Sequence, residues 1–137
     1  MVKNIVRDIN FLSIPSIDAT KDDLYIVQDL KDTLLFNRNR CVGMAANMIG
    51  YSKNIIIFED EFKKHVIMIN PKIIKYSNEY NTEEGCLSLE GVRPTKRYKS
   101  IKVEYYNEQF QKRIKSYNDF TAQIIQHEID HLFGIII

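Results

Sequence analysis

DFTAQIIQHEIDHL, residues 119–132, sets Phe120, Ile124, His127 and His131 on one stripe at helical spacing. Asp119 opens the stretch and Gly134 follows it as a natural stop, so it reads as a helix. Working back from it, short strand-like runs appear. Arg113–Tyr117 and Ile101–Tyr106 flank a turn at Asn107–Gln109. Ile73–Tyr76, His65–Asn70 and Ile55–Phe58 are further candidates, with Pro71 expected to stop the second of these. Cys41 to Gly50 is small and apolar. Before it, Leu24, Val27, Leu34 and Leu35 predict a helix near 21–37, with Thr20 as its cap and Asp22 and Asp23 in its first turn. Residues 1–19 read as irregular. Strands followed by a helix predict an α+β fold with an N-terminal helix, in preference to a doubly wound parallel sheet.

The chain has 137 residues, 45% of them hydrophobic, which suits one domain over 1–137 with one modest core. Nineteen Lys and Arg face eighteen Asp and Glu, a net charge of +1. That balance argues against nucleic acid or a membrane surface as a partner. The basic stretch Arg93–Lys102 reads as a solvated strand edge. Two cysteines, Cys41 and Cys86, do not make a disulfide framework. Arg7, Asp8 and Asn10 interrupt any secretory leader, and no apolar run reaches the length of a membrane span. The expectation is a cytoplasmic protein with free thiols.

Within the final helix, His127-Glu128-Ile129-Asp130-His131 is an HExxH pattern. Residues four apart share one face, so both imidazoles can reach one metal ion. Glu128 stands beside the first ligand. A divalent ion lowers the pKa of a bound water to about 7, and a neighbouring carboxylate can take that water's proton and pass it to a leaving group. The same residues also read as a polar helix face. Three features favour the metal. The motif sits on a predicted helix, it uses two of only three histidines, and Cys86 offers a third ligand. Cys86 lies in Glu84-Gly85-Cys86-Leu87-Ser88, where Gly85 permits a close backbone approach. One thiolate and two imidazoles leave a fourth position for chemistry. His65 reads as unrelated, and Asp130 as either a partner to the ligands or a solvent contact.

Three segments together resemble the peptide deformylase family. Glu84-Gly85-Cys86-Leu87-Ser88 matches the family's EGCLS motif and Gln126–Leu132 its QHExDHL helix, while Cys41–Met48 matches GxGxAAxQ in part. The resemblance implies antiparallel sheets packed around a central HExxH helix. It implies hydrolysis of the formyl group from N-formylmethionine on nascent bacterial polypeptides. The implied metal is Fe(II), with Zn, Ni or Co able to replace it. Cys86, His127 and His131 would be the ligands and Glu128 the general base and then acid. The Leu87 N–H would bind the developing oxyanion. Gly43, Glu84 and Gly85 would line the peptide groove through backbone groups. Val42, Phe120 and Ile124 would wall the methionine pocket, and Arg93 would sit near the peptide's far end. The implied partners are formylated peptide N-termini and, transiently, the ribosome.

Met48 stands where the family has a glutamine, and Cys41 replaces the first glycine of the motif. A thioether donates no hydrogen bond, and losing one oxyanion donor typically costs about 10²–10³ in rate. Six residues follow His131, where many family members continue into a further element, so a ribosome contact through such an extension is not expected. The alternatives to a weakened deformylase are a relative acting on another N-acyl peptide, or a metal- or peptide-binding protein with little catalysis. Cys41 itself reads as a buried apolar thiol.

Overall fold

The computed structural model describes all residues from 1 to 137. Its elements in order are α1 (Ile9–Leu12), a 3₁₀ turn (Lys21–Asp23), α2 (Tyr25–Phe36), β1 (Gly43–Ala45), a second 3₁₀ turn (Ala46–Ile49), β2 (Ile55–Glu59), β3 (His65–Cys86), β4 (Leu89–Tyr106), β5 (Lys112–Asn118) and α3 (Asp119–Leu132). The five strands form one sheet in the order β1-β2-β3-β4-β5, each antiparallel to the next. The α+β class expected from the pattern of elements is the one observed.

The core is built around β2. Ile55, Ile56, Ile57 and Phe58 are all fully buried. Both α2 and α3 touch this strand, so both of its faces are covered and its apolar run needs no alternation. Fully burying a side chain of this kind is worth roughly 1.5–3 kcal/mol. Four in a row make β2 the anchor of the sheet. From α2 come Ile26, Leu30 and Leu34, and from α3 come Ala122, Ile125 and Ile129. The polar side of α3 is then left to face β1 and the far part of β4, where the functional groups lie.

The N-terminal helix is displaced slightly from its expected span. Thr20 and Asp23 form a reciprocal capping box on the 3₁₀ turn, and α2 begins at Tyr25. Residues 1–19 hold one short helix, Ile9–Leu12. Gly134, with φ +79°, closes α3 as expected.

Pro71 does not end its strand. β3 runs on for 22 residues to Cys86, and it absorbs the expected Ile73–Tyr76 strand. The reason is a register shift between Ile69 and Lys72, which places Pro71 where the ladder asks for no N–H. Asn70 makes the bulge with φ +52°. Its side chain substitutes for a strand partner. The Ala19 N–H donates to Asn70 Oδ1 at 2.8 Å and Asn70 Nδ2 donates to the Ala19 carbonyl at 3.0 Å. Likewise β4 starts at Leu89, well before Ile101. Its first half pairs only with β3 and carries charged residues without apolar alternation, so no period-2 signal marks it. Arg97, inside the stretch read as a solvated edge, is 3% exposed. Asn70→Ala removes two hydrogen bonds and the residue type that tolerates a left-handed backbone. The expected loss is about 2–3 kcal/mol, read as a lower urea midpoint with an unchanged slope. Asn70→Gly is expected to be less damaging than Ala, because glycine keeps the backbone freedom.

Candidate active site

Two elements meet to form the site. On α3, His127 and His131 are one turn apart, with ring centroids 4.6 Å apart and Nε2 atoms 2.9 Å apart. Cys86 is the last residue of β3, at the turn through Leu87 and Ser88 into β4. The hairpin end folds back onto α3, so that Cys86 Sγ and the two imidazole nitrogens all lie within 4.8 Å of one another. These three residues fit a divalent cation by two observations. First, His127 Nδ1–H donates to Glu84 Oε1 at 2.7 Å. In the neutral ring that puts the lone pair on His127 Nε2, which faces His131 Nε2. Two lone pairs and a sulfur then converge on one point. Second, Glu128, beside them, is 5% exposed and its Oε1 has no hydrogen-bond partner in the chain.

Without a cation, one proton is shared out within this cluster. Two nitrogens this close cannot both be protonated. For His127, burial opposes charge but Cys86 and Glu84 beside it raise the ring to about 10. For His131, burial and then the charge on His127 lower the ring to about 3. The Glu128 carboxyl is pushed up to about 7, chiefly by burial, with His127 pulling the other way. A carboxyl there is poised to gain and lose a proton near neutrality. Burial also resists charge on Glu84. Hydrogen bonds from His127, Arg97 and Gln123 nevertheless hold its carboxyl down at about 2.

Glu84 therefore acts through its side chain. The expectation of backbone contacts alone missed this. Arg97 donates from Nε and Nη2 to both Glu84 oxygens, at 3.0 and 2.7 Å, and from Nη1 to Asp130 at 2.6 Å. Gln123 donates to Glu84 Oε2 at 2.8 Å. Asn47 Nδ2 donates to the His131 carbonyl at 2.8 Å and ties the turn that carries Met48 to the end of α3. Arg97, Gln123 and Asn47 went unread in the sequence. Arg97 lay in a basic run with nothing to mark it as buried, and the other two match no motif.

A cleft of about 620 Å³ opens onto these groups. Val42, Gly43, Met48, Glu84, Gly85, Cys86, Leu87, Phe120, Ile124, His127 and Glu128 all line it. His131 lies behind them at 3% exposure. Arg93 does not line the cleft. Its guanidinium donates to the Glu90 carbonyl at 3.0 Å. Arg40 and Cys41 line it instead. Cys41 is half-buried, and burial, then the Glu128 charge, push its thiol up to about 11. Gly43 is required by contact. A Cβ there would sit 2.7 Å from Ile124 Cγ2 and 2.9 Å from Glu128 Oε2. The Met48 sulfur is turned to its own backbone and accepts the Ala45 N–H at 3.4 Å.

The polypeptide deformylase family model matches residues 8–137. The chain belongs to that family. A peptide deformylase of Clostridium beijerinckii is 53% identical over 137 residues, which is the full length of both chains. One of Desulforudis audaxviator is 41% identical over 110 residues, covering 79% of this chain and 70% of that one. Among solved structures, the Met-Ala-Ser-bound class I type b peptide deformylase of Acinetobacter baumannii superposes with a TM-score of 0.89 at 29% identity, covering 99% of this chain and 97% of that one. The Thermotoga maritima peptide deformylase gives 0.88 at 27%, covering 99% and 95%. The sheet, the final helix and the cleft between them are thus set in a deformylase fold, and the chain is a hydrolase of that family.

Glu84 makes the deformylase site sensitive to acid. Its folded carboxyl titrates near 2 and an ordinary glutamate at 4.5. The folded value is the lower one, so its stabilisation is complete above the ordinary value and is lost as pH falls from about 4.5 toward 2. In metal-stripped protein, the urea midpoint of the wild type is expected to drop across that window. In Glu84→Gln the midpoint starts lower at neutral pH and changes less across the same window.

Proposed function

We propose that this deformylase removes the formyl group from N-formylmethionyl peptides, with Cys86, His127 and His131 holding one divalent metal ion. The observation that carries the reading is the convergence of Cys86 Sγ with two imidazole nitrogens beside Glu128, whose buried Oε1 has no partner. The metal, when bound, supplies a Lewis acid that polarises the formyl carbonyl and acidifies water. Iron(II) is the proposed ion, on the strength of the family resemblance. A thiolate with two imidazoles suits zinc about equally by ligand softness.

The remaining work falls to the chain. Glu128 Oε1 takes the proton of the attacking water and returns it to the nitrogen of the leaving amine, and its raised titration suits both directions. The Leu87 N–H, at the hairpin turn, donates to the oxygen that gains charge in the transition state. Glu84 holds the His127 ring in one tautomer through Nδ1. Val42, Phe120 and Ile124 wall the methionine side chain, and Gly43 and Gly85 let the peptide backbone approach closely. Met48 has no N–H to add to the oxyanion site, and its sulfur is already engaged with Ala45. This supports a slower chemical step than in relatives with a glutamine there.

The proposed setting is the bacterial cytoplasm, at newly made chains with a transient ribosome encounter. The support is that the matched relatives named above are bacterial. No helix is long and apolar enough to cross a membrane.

Anaerobic formate release from formyl-Met-Ala-Ser, with metal content measured on the same sample, tests the reading. Glu128→Gln is expected to cut kcat by about 10²–10⁴ while metal content stays the same. Equal rates in the two proteins would remove Glu128 from the mechanism. Met48→Gln is expected to raise kcat, by up to about 10²–10³ if the amide reaches the oxyanion. An unchanged kcat in fully loaded protein would show that Met48 is not the weak point.

A further inference from the structure

The two ends of the cleft differ in chemistry. Cys86, His127 and Glu128 lie at its inner end, whereas Arg40 and Glu83 are exposed and form its mouth. β1 is the edge strand of the sheet. It pairs with β2 on one side and reaches the cleft at Gly43, while its Ala45 N–H is taken by the Met48 sulfur. Gly43 of β1 lies against Glu128. Arg40 is three residues before Gly43, at most about 10 Å along an extended chain. A peptide with its formyl group at Glu128 and its chain running to the mouth brings its third residue level with Arg40.

Arg40 is held for such a role. Its Nη2 donates to Asn37 Oδ1 at 2.6 Å. Asn37 is 3% exposed, and its own Nδ2 donates to the Thr33 carbonyl of α2 at 2.8 Å. The guanidinium therefore leaves a rigid helix end in a set direction. Arg40 also lines the cleft, which Lys31, Lys53, Lys96, Arg97 and Lys112, the cations paired with carboxylates of the chain, do not. Arg40 pairs with none, and its remaining N–H groups point to no protein acceptor. Glu83, also lining the cleft, belongs to β3, so the mouth has opposite charges on its two walls.

We propose that Arg40 is a specificity residue that binds a carboxylate on the peptide downstream of the formylmethionine. The proposal rests on the deformylase reading above. The carboxylate belongs either to an acidic side chain at the third residue or to the end of a short peptide. Glu83 disfavours the same group on the opposite wall and so fixes its side. An exposed pair of this kind is worth about two- to fivefold in binding, expressed in KM and weakened by salt.

The test compares kcat/KM for formate release from formyl-Met-Ala-Glu, formyl-Met-Ala-Gln and formyl-Met-Ala-Lys, each as the C-terminal amide and as the free acid. The proteins are the metal-loaded wild type, Arg40→Gln and Arg40→Glu, at low and high salt. The wild type is expected to favour the Glu amide over the Lys amide by about two- to fivefold or more, through KM. Arg40→Gln is expected to flatten that ratio and Arg40→Glu to reverse it. A preference for free acid over amide that vanishes in Arg40→Gln assigns the peptide terminus as a second source of the carboxylate. An identical Glu-to-Lys ratio in the wild type and Arg40→Gln overturns the proposal. Absence of formate release from every peptide by the loaded wild type would overturn the deformylase reading instead.

Discussion

One buried carboxylate connects the two elements that meet at the candidate site. Glu84 sits two residues before Cys86 on the β3–β4 hairpin and bonds to His127 on α3, to Arg97 on β4 and to Gln123 one turn before His127. The hairpin end carries the sulfur and the helix carries both imidazoles, and Glu84 is the polar link between them. Its side chain and that of Arg97 are 7% and 4% exposed. At that burial neither charge survives without the other, since an uncompensated buried charge costs several kcal/mol. Arg97 is therefore as much a part of the site as the groups that face the cleft. Asp130, on the far side of Arg97, completes its neutralisation.

This link also orders the local electrostatics. By drawing the Nδ1 proton of His127, Glu84 directs the other nitrogen toward His131 and Cys86. A cation that such a cluster suits has to displace the second proton that the metal-free His127 ring holds at neutral pH, so its binding releases a proton. Glu128 differs from Glu84 although both are buried glutamates. It has no cation bonded to it and its Oε1 is unpartnered, so its carboxyl rises toward 7 while that of Glu84 falls to about 2. Two buried glutamates thus shift in opposite directions, Glu84 staying a fixed charge and Glu128 titrating near neutrality, the contrast on which the proposed division of roles rests.

The first motif of the family is where this chain departs, and the structure shows how the change is accommodated. Met48 is 2% exposed and packs into the core while its sulfur accepts a backbone N–H. The neighbouring Asn47 is fully buried and bonds to the carbonyl of His131. The turn is thus fastened to α3 with a methionine at this position. Position and chemistry have separated here: the turn keeps its place against α3 while a thioether stands where the family motif has an amide.

Local periodicity and motif spacing were enough to place α2 and α3, the α+β class, the HExxH residues and Cys86 as their partner. Those features depend on residues near one another in the chain, or on residue types so rare here that few pairings are open. The lengths of β3 and β4 were not legible, because Asn70 replaces a strand partner by bonding to Ala19, 51 residues earlier, and because β4 begins as a polar strand paired on one side only. Nor was the burial of Arg97, which reads as one cation among many until Glu84 and Asp130 are brought to it from 13 and 33 residues away. That Arg40 lines the cleft while Arg93 bonds to the Glu90 carbonyl was likewise set only by the folded chain. Sequence carries the chemical identity of a group, but its charge state, its reach and its partners are set by neighbours that only folding supplies.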